Sequence, residues 1–128
     1  MKKGQDISNA AKLLREYRPA LWQKTLLEAV PNAGNTALED CLEQINFTRR
    51  LAEALRDNKL LGEKLYQVIR ATYLSNRQPV DVDEILDRIA NEYGRIPRRT
   101  YFRLRSQALR MMDIHLKEKQ AVQDEKLI

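Results

Sequence analysis

The chain holds 128 residues, 43% of them apolar and 32% charged, with 23 Lys and Arg against 18 Asp and Glu for a net charge of +5. A chain of this kind can bury a core in one domain or in two small helical units, which excludes a disordered polymer, and its basic balance favours a polyanionic partner. No apolar run approaches the roughly 20 residues that span a bilayer, and Met1-Lys2-Lys3 leads into polar residues, so a cytoplasmic protein with no membrane contact is expected.

Sparse glycine and proline and the near absence of strand signals predict an all-α fold. Ser8 can cap a first helix through Leu13, Leu14 and Tyr17, and Pro19 either kinks it or starts a second piece carrying Leu21, Trp22, Leu26 and Leu27. The run from Pro31 to Asn35 stops that piece. Thr36 and Glu39 have the spacing of a capping box, which predicts a helix from Ala37 burying Leu38, Cys41, Leu42, Ile45, Ala52 and Leu55 and closing at Asp57-Asn58. Cys41, the single cysteine, reads as a buried structural thiol. Tyr17, Trp22 and Phe47 read as core or interface anchors, with core favoured.

From Leu61, the positions Leu65, Val68, Ile69, Thr72 and Tyr73 recur at three and four residues and predict an amphipathic helix that stops near Ser75-Asn76. Asp81 and Glu84 then cap a helix whose apolar positions are Ile85, Leu86, Ile89 and Ala90. Gly94 is expected to supply a left-handed stop, and with Ala90 to let two helices cross closely. Ile96 would plug the gap between them, and Pro97 suits the first position of the next helix.

That last helix has two faces at about 100° per residue. Tyr101, Leu104, Ala108, Met111 and Met112 fall on one, and Arg99, Arg103, Ser106 and Arg110 on the other, flanked by Arg98 and Phe102. Charge is polarised by element: arginines crowd the segment from Gly94 to Met112, which has no acid, whereas acids dominate from Asp81 to Tyr93. A helix-turn-helix whose second helix enters a DNA groove fits this layout, because guanidinium groups read guanine and bind phosphate. Arg98, Arg99, Phe102, Arg103, Ser106 and Arg110 are the candidate DNA-binding residues. No catalytic, cofactor-binding or metal-binding set is expected. The glycines are isolated, one histidine and one cysteine make no zinc site, and Asp81, Asp83, Glu84 and Asp87 are explained by a helix N-terminus.

The stretch from Ile89 to Gly94, then Ile96, Arg98 to Arg103 and Gln107-Ala108-Leu109, resembles the C-terminal helix-turn-helix of phage late-transcription regulators of the ArpU and RinA type, themselves similar to a promoter-reading region of bacterial sigma factors. The resemblance extends to Ala11–Arg18 and Tyr66–Leu74. Two departures are Arg95, one extra residue in the turn, and Pro97, where a serine or threonine cap is usual. The resemblance implies a non-enzymatic regulator of phage or prophage late genes in a bacterial host, binding double-stranded DNA and possessing a surface for RNA polymerase.

The expected organisation is an N-terminal helical layer over residues 1–57, a three-helix helix-turn-helix unit over 58–116 that folds from about Gly62 onward, and a charged tail over 117–128. A homodimer through the N-terminal half is favoured, because two short reading helices on a two-fold axis lengthen the bound site. Two other functions stay open: a small terminase-like DNA-packaging subunit, and a helical protein-binding adaptor that binds no DNA.

Overall fold

The computed structural model describes residues 8–30 and 35–127, with the side chains of the last helix described as far as Glu118. Among the described residues there are helices and turns but no strand, as the composition requires of an all-α chain. The helices are α1 (Asn9–Arg15), α2 (Tyr17–Ala29), α3 (Asn35–Glu53), α4 (Gly62–Ile69), α5 (Val82–Glu92) and α6 (Arg98–Leu127). A 3-10 turn, Ala54–Asp57, closes α3, and a π turn, Arg70–Leu74, continues α4. None of the described helices is long and apolar enough to cross a membrane.

Ser8 caps α1 as expected, its hydroxyl oxygen accepting from the Ala11 N–H at 2.9 Å. The Ser8 hydroxyl and the Ala10 N–H both donate to Asp113 Oδ1, at 3.2 and 2.8 Å, so a carboxylate from far along α6 sits on the positive end of α1. Glu16 breaks the helix before Pro19 is reached. Pro19 then lies in the first turn of α2, where its missing N–H has no intrahelical acceptor to leave empty. The expected stop over residues 31–34 lies outside the described residues.

Helix α3 begins at Asn35, so Thr36 and Glu39 lie inside it and form no cap at Ala37. Their spacing is compatible with a cap, but helical backbone already runs upstream of it. The buried face is as expected at Cys41, Ile45, Ala52 and Leu55. Cys41 Sγ donates to the Ala20 carbonyl at 3.0 Å and joins Tyr17, Ala20 and Ile45 in a small core between α2 and α3.

Trp22 departs from the favoured core reading. Its side chain is 66% exposed, whereas Tyr17 is buried and Phe47 packs against the main core. Five residues separate Trp22 from Tyr17, which turns it by about 140° around the helix, away from α3.

Asn58 reverses the chain between α3 and α4. Its Oδ1 accepts from the N–H groups of Leu60 and Leu61 at 3.0 and 2.9 Å, and its carbonyl accepts from Gly62 at 2.9 Å. Gly62 is required sterically, because a Cβ there would lie 2.7 Å from the Arg56 carbonyl oxygen and 2.8 Å from that of Leu55.

The main core collects Leu65, Val68 and Ile69 of α4, all fully buried, with Ile85 and Ile89 of α5 and Tyr101, Leu104, Ala108 and Met112 of α6. Each such aliphatic side chain stabilises the fold by about 1.5–3 kcal/mol on burial. Ala10 and Leu14 of α1 and Leu51, Ala52 and Leu55 belong to the same cluster, so the 57/58 boundary runs through a shared core. The end of the α4 segment is a π turn instead of the regular helix expected. There the Thr72 hydroxyl donates to the Val68 carbonyl at 2.7 Å, the acceptor that an α-helix gives to the Thr72 N–H, and the ladder widens.

Candidate nucleic-acid interface

Helix α5 is capped by Asp81, whose Oδ1 accepts from the Glu84 N–H at 3.0 Å, while Glu84 accepts from the Val80 N–H at 2.7 Å. Asp81 and Glu84 are thereby engaged in structure. Glu84 also pairs with Arg77 and with Arg88, the latter at 2.9 Å, and Glu92 pairs with Arg70. The Val80 N–H chiefly holds the Glu84 carboxyl below its ordinary range; burial opposes it, and Arg88 and Arg77 add smaller effects in the lowering sense. The Arg70 hydrogen bond does the same for Glu92.

The turn between α5 and α6 differs in detail from its expected form. Gly94 is not left-handed, and an added Cβ would meet nothing within 4 Å, so neither a positive φ nor a close helix crossing calls for glycine there. The stop is made by Tyr93, which leaves the helical region at φ −129° and ψ −59°, and by two N–H groups, of Tyr93 and Gly94, sharing the Ile89 carbonyl at 2.8 and 3.0 Å. Ile96 is buried at the plug position. Pro97 stands one place before the helix, its carbonyl accepting the first helical bond from Tyr101 at 2.9 Å, which makes it the cap residue instead of the first helical residue.

Helix α6 is 30 residues long, about 45 Å at the α-helical rise. Tyr101, Leu104, Ala108 and Met112 face inward, and Met111 is half-buried. Arg98, Arg99, Phe102, Arg103, Ser106 and Arg110 are all accessible, so the structure brings the six candidate residues onto one open side. They are not equivalent. Arg98 pairs with Asp83 of α5 at 2.9 Å and lies 5.9 Å from the Phe102 ring centroid. Arg99, Arg103 and Arg110 have no ion pair among the described residues. Phe102 meets Tyr101 edge to face at 5.1 Å between centroids, which fixes the exposed ring from the core side.

Arginines that the helical phase assigned to neither face also contribute. Arg105 is half-buried with its guanidinium 5.2 Å from the Phe102 ring and 5.8 Å from the Tyr101 ring. Its position seven residues after Arg98 places it at the edge between the two faces, a signal available in the sequence. Arg18 of α2 donates through Nε to the Ser75 carbonyl at 2.9 Å and through Nη2 to the Thr72 carbonyl at 3.0 Å. It thus closes the carbonyl end of the π turn from a distant part of the chain, which no local pattern announces.

The chain matches no protein-family model, and neither the curated proteins nor the solved structures contain a significant match to it.

Proposed function

We propose that this protein is a sequence-specific DNA-binding transcriptional regulator that acts by binding, with no chemical step, and presents the start of α6 to the major groove. The observation that carries the reading is the open side of α6: Arg99, Arg103 and Arg110 stand there without acidic partners among the described residues, on a helix whose opposite side is locked into the core. The stretch from Arg98 to Arg110 extends about 18 Å, and the groove is about 12 Å wide, so both base edges and the flanking backbone are within its span.

Arg99 and Arg103 are the proposed base readers, suited to guanine through a bidentate fork. Phe102 would touch a thymine methyl, and Ser106 and Arg110 would hold the backbone. Arg98 would exchange its exposed bond to Asp83 for a phosphate, a small cost because such surface pairs contribute about 0–1 kcal/mol. The likeness to ArpU and RinA regulators supports late genes of a phage or prophage in a bacterial cytoplasm as the target and RNA polymerase as a further partner. Exposed Trp22, Leu26 and Val30 on and just after α2 support a second copy of the chain as the partner of that face, giving a homodimer with two reading helices.

The test is selection of duplexes from a random pool by the full chain, followed by fluorescence anisotropy at graded salt. Enrichment of one sequence bound at least about 10³-fold more tightly than bulk duplex supports the reading. Equal, weak affinity for every duplex at moderate salt overturns it.

A further inference from the structure

Three guanidinium groups from three different helices line one cleft of about 360 Å³ between the N-terminal helices and α6: Arg15 ends α1, Arg18 lies in α2 and Arg105 in α6. Like charges gathered in a concave site repel one another, and low-dielectric walls strengthen the field they share. Among the described residues the only carboxylate lining this cleft is Asp81, and its Oδ1 is engaged by the Glu84 N–H. Neither Arg15, Arg18 nor Arg105 has an ion pair among the described residues.

One of these donors is anchored as well as gathered, and a hydroxyl joins them. Arg18 is fixed by bonds from Nε and Nη2 to the Thr72 and Ser75 carbonyls and the Ser75 hydroxyl, which leaves Nη1 without a partner among the described residues. Tyr73 lines the same cleft, and its hydroxyl makes no hydrogen bond among the described residues. Burial raises the Tyr73 pKa, while Arg105 and Arg15 act in the opposite sense, so both guanidiniums lie within electrostatic reach of that hydroxyl. The phenol remains protonated and able to donate.

We propose that the cleft formed by Arg15, Arg18, Arg105 and Tyr73 binds a phosphoryl group. Guanidinium forks and a hydroxyl donor match a tetrahedral phosphate oxyanion, whether the singly charged diester of DNA or the more highly charged monoester of a small molecule, and the volume admits one with its water. The group has two possible sources: a backbone phosphate of bound DNA or a free phosphorylated small molecule. Arg105 lies on the same flank of α6 as Arg98, about 10 Å further along, where a strand beside the reading helix would pass. Only the DNA source rests on the function proposed above.

The experiment uses the full chain, its Arg15→Gln/Arg105→Gln variant and, as a less intrusive change, Tyr73→Phe. Arginine side-chain NMR signals are followed during titration with inorganic phosphate against chloride of equal ionic strength, and duplex affinity is measured over a salt series. Phosphate is expected to shift the Arg18 and Arg105 signals, with affinity falling at least about tenfold in the double variant and less in Tyr73→Phe. A DNA source requires the slope of log affinity against log salt to fall by about one for each phosphate that the variant no longer neutralises. Phosphate-dependent shifts with an unchanged slope assign the cleft to a free ligand. The same shifts in a protein that binds no duplex would refute the regulator and leave the cleft standing. Unmoved arginine signals together with an unchanged slope overturn the proposal.

Discussion

The Tyr101 hydroxyl lies 2.8 Å from the Thr72 hydroxyl inside the core, and Thr72 directs its own proton to the Val68 carbonyl at 2.7 Å. Thr72 has one O–H, so in this pair Tyr101 is the donor. The bond ties α6 to the π turn at a point where both side chains are buried.

That direction predicts unequal mutants. Tyr101→Phe removes one hydrogen bond while Thr72 keeps its bond to Val68, and the expected cost is about 0.5–1.5 kcal/mol. Thr72→Val leaves the Tyr101 hydroxyl buried without an acceptor, at about 1–3 kcal/mol. Urea denaturation of both variants measures the order; a larger loss in Tyr101→Phe would show that the proton runs the other way.

Glycine substitutions separate the two turns. Gly62→Ala drives a methyl into the Arg56 and Leu55 carbonyls and should destabilise by about 1–3 kcal/mol. Gly94→Ala meets open space with no positive φ, and should be neutral or stabilising by up to about 1 kcal/mol through the unfolded chain. Thermal unfolding of the two variants checks the contrast.

Gly94 thus inverts the expectation from sequence, and the reason is physical. A glycine after an apolar helix is a common left-handed stop, but here Tyr93 makes the turn, and the sequence does not reveal which residue leaves the helix. Local periodicity, by contrast, carries most of the core: Leu65, Val68, Ile69, Ile85, Ile89, Tyr101, Leu104, Ala108 and Met112 fall on the faces their spacing requires. The exposed set on α6 is legible for the same reason. What local pattern misses is long-range pairing, such as Arg18 on the π turn and Asp113 on α1, because neither partner is marked by spacing.

Arg99→Ala and Arg103→Ala are expected to weaken specific duplex binding with helicity and melting unchanged, since both side chains are exposed and unpaired with acids among the described residues. A base-reading role costs about 1–3 kcal/mol of discrimination at one position of the site; a phosphate role lowers affinity for all sequences and reduces the salt slope by about one. Anisotropy against the selected duplex and a scrambled one tells the roles apart. Unaltered binding by both variants would remove α6 as the reader.

Acid should act on α5 through Glu84. Its carboxyl titrates below the ordinary value of 4.5 in the folded protein, chiefly because it accepts from the Val80 N–H. A depressed folded pKa means that this stabilisation is fully present above the ordinary glutamate range and is lost as pH falls through the lower folded value. Glu84→Gln should therefore lose stability near neutrality but show a shallower decline on acidification. Parallel acid limbs for variant and wild type in denaturant titrations would contradict the assignment.

Removing residues 1–57 tests whether the C-terminal helices stand alone. Sequence periodicity suggests that a fragment from about Gly62 folds, but Ala10, Leu14, Leu51, Ala52 and Leu55 share a core with Leu65, Ile69 and Met112. Their loss uncovers several fully buried side chains, each contributing about 1.5–3 kcal/mol, which is comparable in sum to the whole stability of a small domain. The fragment is expected to lack a cooperative melt, and Leu14→Ala in the full chain should cost about 2–5 kcal/mol because Leu14 is 1% exposed. Circular dichroism melts of the two proteins measure this. A fragment as stable as the full chain would show that α1, α2 and α3 only cover a core complete without them, and would leave Trp22 and its exposed neighbours on α2 as their main contribution.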